Sequence, residues 1–112
     1  MNWNKLESEE DFNQLIVVSA VMPVLIFKHS IRCGTSSMAL GRLERMWKEE
    51  DNEKIAPYFL DVILHRKVSN EIESRFGVVH ESPQVLIIKN GKCIYSESHS
   101  GINYADVMAA AK

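Results

Sequence analysis

The pentapeptide PVLIF, Pro23 to Phe27, is apolar at every position and includes β-branched residues. A strand with one wet face alternates polar and apolar side chains, whereas an unbroken run needs cover on both faces. Helical layers supply that cover, so this run restricts the chain to folds with a sheet between helices. With 112 residues, 46% of them apolar, the chain is a single domain that can bury such a core without staples.

The remaining patterns order themselves around that run. Ser8, followed by Glu9, Glu10 and Asp11, reads as an N-cap with acids in the first turn of a helix spanning about residues 8–20. Phe12, Leu15, Ile16 and Ser19 share one face of it. The core then extends from about residue 21 to 112. From Gly34 to about Glu49 the spacing is helical, with Ala39, Leu43, Met46 and Trp47 on one stripe. APYFLDVI reads as a second strand. Ser69 reads as the cap of a short helix that places Ile72 and Phe76 one turn apart and ends at Gly77. In QVLIIKNGKCIYSES, two apolar runs flank Asn90-Gly91, a strong hairpin signal. Asn103 with Asp106 resembles a capping box, and Ile102 with Val107 a hydrophobic staple.

The predicted order is therefore α-β-α-β-α-β-β-α. Its β-α-β part implies parallel strands and right-handed crossovers, and the hairpin adds two antiparallel strands. The expected architecture is a three-layer α/β fold: a central four-stranded mixed sheet with helices on both faces.

Several function classes are disfavoured. A net charge of −2, with no Lys/Arg cluster, argues against a nucleic-acid surface. Leu15 to Phe27 is interrupted by Ser19 and Pro23 and is too short to span a bilayer, so no membrane partner is expected. The first ten residues, MNWNKLESEE, lack an apolar h-region, which predicts a cytoplasmic protein. Cys33 and Cys93 cannot form a disulfide framework and are expected as reduced thiols.

Cys33 lies where the first strand gives way to the following helix, in FKHSIRCGTSSMAL. Its sulfur is expected to face free backbone N–H groups at the positive end of that helix. Arg32 adjoins it, Lys28 lies just upstream, and the Ser36 hydroxyl stands one turn in. Together these are the features that raise a thiol's thiolate fraction near neutral pH. Ligand sites in open α/β sheets also lie beyond the carboxyl ends of strands. The implied pairing sets the start of the hairpin beside the end of the first strand, which would bring Pro83 against Cys33.

A strand, a Cys-x-x-Ser helix start, a helix ending in Phe-Gly-Val, a proline and a hairpin closed by Lys-Asn-Gly-Lys resemble the thioredoxin fold over about residues 15–112. More narrowly, FKHSIRC with SSMAL, YFLDV and ESPQVLIIKNGK is similar to the YtxJ family of monothiol bacilliredoxins. The resemblance implies a thiol–disulfide oxidoreductase of cell redox homeostasis and stress response, reducing mixed disulfides between protein cysteines and bacillithiol. Its partners would be proteins carrying S-thiolated cysteines. Bacillithiol would be a co-substrate, with no tightly bound cofactor and no metal. The nucleophile falls on Cys33 and the cis-proline on Pro83. Ser82 before it would leave its backbone free to dock a substrate chain.

Departures from thioredoxin shape the expected mechanism. The acid usually found six residues before the nucleophile is Phe27, so an internal proton acceptor is missing. The Trp usually just before the nucleophile is Arg32, and the second cysteine is Ser36. Cys93 is a poor substitute: five residues of strand separate its partner position, Ile88, from Pro83, roughly 16 Å. A disulfide needs Cα atoms within about 7 Å. An external small thiol is the better resolving group, and its carboxylates could be oriented by Lys28 and Arg32.

Other readings start from nearby residues. His29 and Cys33 are four apart, but no second pair offers structural-zinc spacing. His80 and His99 flank the expected active edge and could tune it near physiological pH, and Gly101 suits close backbone approach in the same region. CGTS differs by one residue from the C-G-F-S motif of monothiol glutaredoxins, which suggests an iron–sulfur cluster carrier as an alternative. A binding module in which Cys33 performs no turnover is the third possibility.

Overall fold

The computed structural model describes residues 1–112. Its strands are β1 (Asn4–Lys5), β2 (Val24–His29), β3 (Ala56–Asp61), β4 (Gln84–Lys89) and β5 (Lys92–Ser98). Its helices are α1 (Glu9–Ser19), α2 (Gly34–Met46), α3 (Arg66–Phe76) and α4 (Tyr104–Ala110). They form one five-stranded mixed sheet in the order β1-β3-β2-β4-β5. The expected three layers are present, but the sheet has five strands rather than four. β1 is only two residues long, too short to show a period, and pairs parallel with Tyr58 and Phe59 of β3. It is held there by Leu6, which is fully buried, and by Trp3, whose ring lies edge-on to Phe27 and Phe59 at 6.1 and 5.7 Å. The segment before α1 is therefore part of the sheet edge, not a lead-in to the core.

Alternation along β2 divides the core. Val24 and Ile26 join Phe12 and Leu15 of α1 and Ile72 of α3 on one face. Leu25 and Phe27 join Ala39 and Leu43 of α2 and Val107 of α4 on the other. This two-sided burial accounts for the unbroken apolar run. No helix is long and apolar enough to cross a membrane.

Ser8 caps α1 by accepting from the Asp11 amide at 3.1 Å. At the other end of α1, Ser19 holds the hairpin turn: its carbonyl accepts from the Asn90 amide and its hydroxyl from the Gly91 amide. Asn90 and Gly91 both have positive φ, 53° and 73°, the backbone that a two-residue hairpin turn demands. Cys93 pairs with Ile88, as the turn implies, but Tyr95 pairs with Ile87, which leaves Ile94 as an extra residue. That bulge sends Cys93 and Tyr95, two positions apart, to opposite faces of the sheet.

Two helical expectations need correction. α2 ends at Met46, and the backbone of Trp47 is extended with ψ 132°. Trp47 therefore reaches the core from outside the helical phase, while Met46 is 56% exposed instead of on the buried stripe. Ser69 does not cap α3: the helix begins at Arg66, with His65 at the N-cap and no side-chain cap bond. Ser69 is instead buried one turn inside. The helix stops at Gly77, whose φ of 69° is left-handed.

At α4, the Asn103 side chain accepts from the Asp106 amide at 2.9 Å and donates to its carboxylate at 2.7 Å, with Ile102 and Val107 both buried. Asn103→Ala is expected to cost about 1 kcal/mol, read as a shift in the urea midpoint. A loss below a few tenths would mean that the helix is held by Ile102, Val107 and the hydrogen bond that the Tyr104 hydroxyl donates to the Asp51 carboxylate at 2.6 Å.

Candidate active site

β2 runs parallel to β3 and antiparallel to β4, with Lys28 opposite both Leu60 and Gln84. The carboxyl ends of β2 and β3 thus meet the start of β4 at one edge. Cys33 follows β2 there as the N-cap of α2, with extended backbone at φ −112° and ψ 113°. It is half-buried between exposed neighbours, Arg32 and Gly34, and its sulfur makes no capping bond. Its carbonyl accepts from the amides of Ser36 and Ser37. The amides of Gly34 and Thr35 have no acceptor in the fold. A half-open sulfur therefore stands at the end of a 13-residue helix with two first-turn N–H groups unused, an arrangement that favours negative charge.

Ser82 and Pro83 lie directly before β4, joined by a cis peptide bond. The Ser82 amide and carbonyl make no intramolecular hydrogen bond, and its hydroxyl oxygen is buried without a partner. Pro83 is anchored from β5's end, where the His99 amide donates to its carbonyl at 3.0 Å. His99 has φ 56°, and its Nε2 lies 3.6 Å from Glu81.

Ser36 and Lys28 have partners that the linear sequence did not reveal. Ser36 is fully buried; its Oγ accepts from the Ser30 amide at 3.1 Å and lies 2.7 Å from His29 Nδ1. With the His29 proton on Nε2, the Ser36 hydroxyl hydrogen points at His29 rather than towards Cys33. His29 is itself buried against Phe59 at 5.4 Å. Burial lowers its pKa below the ordinary value, opposed by Asp61 and Glu44, so it is neutral at pH 7. Phe27, in place of the expected acid, is sealed in the core. The titratable group on that face is His29 instead, two residues on. Sequence reasoning weighed His29 only as a metal ligand. The usable signal was strand alternation, which sets residues 27 and 29 on one side.

Lys28 projects to the opposite face of the sheet, between β2 and α3, and is 0% exposed. Its Nζ lies 3.1 Å from His80 Nδ1, and burial brings its pKa down to about 8 against the weaker pull of Glu73. The structure therefore separates Lys28 from exposed Arg32 and gives it a partner in the loop before Ser82. Cys93 sits opposite Ile88 near the closed end of the hairpin, packed against the α1–α3 core, with its thiol directed at the Tyr95 carbonyl. Burial pushes its pKa up, which keeps it protonated and a poor nucleophile.

Three loops at this edge each display one exposed aliphatic side chain: Ile31 (74%), Leu64 (75%) and Val79 (73%). The largest cleft, about 510 Å³, is polar, lined by residues such as Asn2 and Glu50, and lies at the opposite end of the sheet. Cys33 thus occupies a shallow, partly apolar surface, a shape that suits a macromolecule better than a deeply enclosed ligand.

The family model described as monothiol bacilliredoxin BrxC matches residues 4–107. A solved structure of a candidate oxidoreductase with a thioredoxin fold is 30% identical over 96% of this chain and 92% of its own, with a TM-score of 0.83. The thioredoxin Mala s 13 of Malassezia sympodialis has 19% identity, coverage of 98% and 88%, and a TM-score of 0.78. The thioredoxin of Fasciola hepatica has 16% identity, coverage of 96% and 95%, and a TM-score of 0.75. These two are similar in fold alone.

Proposed function

Because the chain belongs to the monothiol bacilliredoxin family and is a thiol–disulfide oxidoreductase of thioredoxin fold, we propose that Cys33 is its single nucleophile and that it removes bacillithiol from protein cysteines. The observation that carries this reading is the half-open Cys33 at the amino end of α2, with a buried serine where a second thiol would resolve it.

The reaction is two exchanges. The Cys33 thiolate attacks the small-thiol sulfur of a protein mixed disulfide. The protein sulfur leaves as thiolate and takes a proton from water, while Cys33 becomes disulfide-bonded to the small thiol. The thiolate of a second small-thiol molecule then attacks that disulfide at the small-thiol sulfur. Cys33 is released as thiolate, and the symmetric small-thiol disulfide departs. No electrons are unaccounted for: one protein disulfide has been exchanged for one free disulfide.

Each supporting residue has a proposed part. The amides of Gly34 and Thr35, unused within the fold, are hydrogen-bond donors available at the amino end of α2 next to Cys33. Exposed Arg32 supplies the cation for a carboxylate of the small thiol. The unpaired Ser82 amide and carbonyl, beside Pro83, offer two hydrogen bonds to an extended substrate backbone, and Ile31, Leu64 and Val79 supply apolar contact around it. A cytoplasmic setting fits a reaction that needs Cys33 reduced at the start of each cycle.

Intact-mass measurement after mixing the protein with oxidised bacillithiol is the direct test. One adduct is expected, absent in Cys33→Ser and retained in Cys93→Ser. An adduct that survives Cys33→Ser, or none on the unmodified protein, would overturn the assignment.

A further inference from the structure

A buried ammonium needs a reason. Lys28 is completely enclosed, yet no carboxylate lies within ion-pair distance, and its one hydrogen-bond partner is the neutral ring of His80. Such a cation destabilises the fold unless the surroundings repay its lost hydration. Its position is informative: it pairs across the sheet with Gln84, the residue after Pro83.

The segment from Val79 to Pro83 is fastened from beneath at several points. The buried Gln84 side chain donates to the Val79 carbonyl at 3.1 Å and accepts from the Glu81 amide at 3.4 Å. His80's own amide donates to Glu73 of α3 at 3.1 Å. Its Nδ1 is shared between Lys28 Nζ at 3.1 Å and the Ser69 hydroxyl at 3.3 Å. Lys28 is thus the point where β2, α3 and this loop are joined through one ring nitrogen.

We propose that Lys28 is a positioning residue: through His80 it holds the Val79–Pro83 loop so that the Ser82 backbone stands ready beside Cys33 to receive a protein substrate. This rests on the docking role given to Ser82 and Pro83 above. It assigns Lys28 to affinity for the protein partner, not to the sulfur or to the small thiol.

The electrostatic surroundings fit that role. Burial, then the positive charge of Lys28, lowers the His80 pKa; Glu73 and Glu81 oppose this and Arg66 adds to it. His80 is therefore neutral at pH 7, with its Nδ1 lone pair available to Lys28. The lysine carries its proton up to about pH 8, so the contact is a charge-assisted hydrogen bond at neutral pH and weakens above that value.

Steady-state kinetics with a reporter protein carrying one S-bacillithiolated cysteine test the assignment. A charge-assisted bond of this kind predicts a rise of about tenfold in KM for Lys28→Met and for His80→Ala, with kcat within about twofold. The double variant should match either single one, because both cut the same link. In the unaltered protein KM should climb above pH 8, and in Lys28→Met it should not. A fall in kcat at constant KM would overturn the proposal in favour of action on Cys33, and so would additive effects of the two substitutions. Amide hydrogen exchange gives an independent arm: the His80 and Glu81 amides should exchange faster in Lys28→Met. Unaltered exchange there refutes the loop-holding role. Absence of turnover by the unaltered protein, with that exchange accelerated, refutes only the function on which it builds.

Discussion

Cys33→Ser is expected to reduce removal of bacillithiol from a thiolated protein by at least a thousandfold, on the order of what loss of a covalent nucleophile costs in other enzymes. The size follows from the chemistry. A serine hydroxyl at neutral pH is scarcely ionised, and the two unused amides of α2 cannot compensate for a missing sulfur. Nothing else in the fold can take over. Ser36 is buried and bonded to His29, and Cys93 lies opposite Ile88, away from the edge where Cys33 and Pro83 sit. Cys93→Ser should consequently leave turnover within about twofold and cost little stability, since Cys93 is only half-buried. Release of free bacillithiol from the reporter, followed by mass spectrometry, measures both variants. Substantial residual turnover in Cys33→Ser would transfer the nucleophile elsewhere and end the monothiol account.

Lys28→Met should make the protein more stable at pH 7 while weakening its function. In the folded state the Lys28 pKa falls from 10.5 to about 8. The unfolded chain therefore binds more protons than the folded one between those values, and stability must rise with pH across that window. At about 1.36 kcal/mol per unit, the penalty carried at pH 7 has an upper bound of roughly 3 kcal/mol. Loss of the His80 hydrogen bond offsets about 1 kcal/mol. A net gain of about 2 kcal/mol for Lys28→Met is expected at pH 7, shrinking to zero or reversing near pH 10.5, where the native lysine also folds uncharged. Urea unfolding of both proteins at the two pH values provides the check. A variant less stable at pH 7, or a difference that ignores pH, would show that the ammonium is well compensated where it lies. A gain in stability joined to a higher KM is the pattern of a residue kept for function.

Much of the architecture was legible because it depends on local rules. Asn90-Gly91 required positive φ at two successive positions, and only one hairpin geometry accepts that. Ser8, Gly77 and Asn103 marked helix ends through caps contained within a few residues. PVLIF declared its burial on both faces by lacking a polar position. Where these rules lapsed, so did the reading. β1 forms because Trp3 and Leu6 find Phe27, Phe59 and the core across the fold, contacts with no periodic trace in a two-residue strand. The Ile94 bulge, which separates Cys93 from Tyr95, belongs to the pairing of two strands and to neither alone.

From the chain alone followed a covered sheet, a lone cysteine at a strand-to-helix junction, a proline placed to meet it and the absence of a second thiol within reach. Those are matters of spacing and of backbone conformation, set by residues near one another in sequence. Which way Ser36 and Lys28 turn was decided only in three dimensions. Lys28 is one residue from His29 and five from Cys33, yet the pleat of β2 sends it to the α3 side, where His80 arrives from fifty-two positions away. Burial and partner, not proximity in sequence, set its charge and its role, because desolvation depends on everything packed around a group.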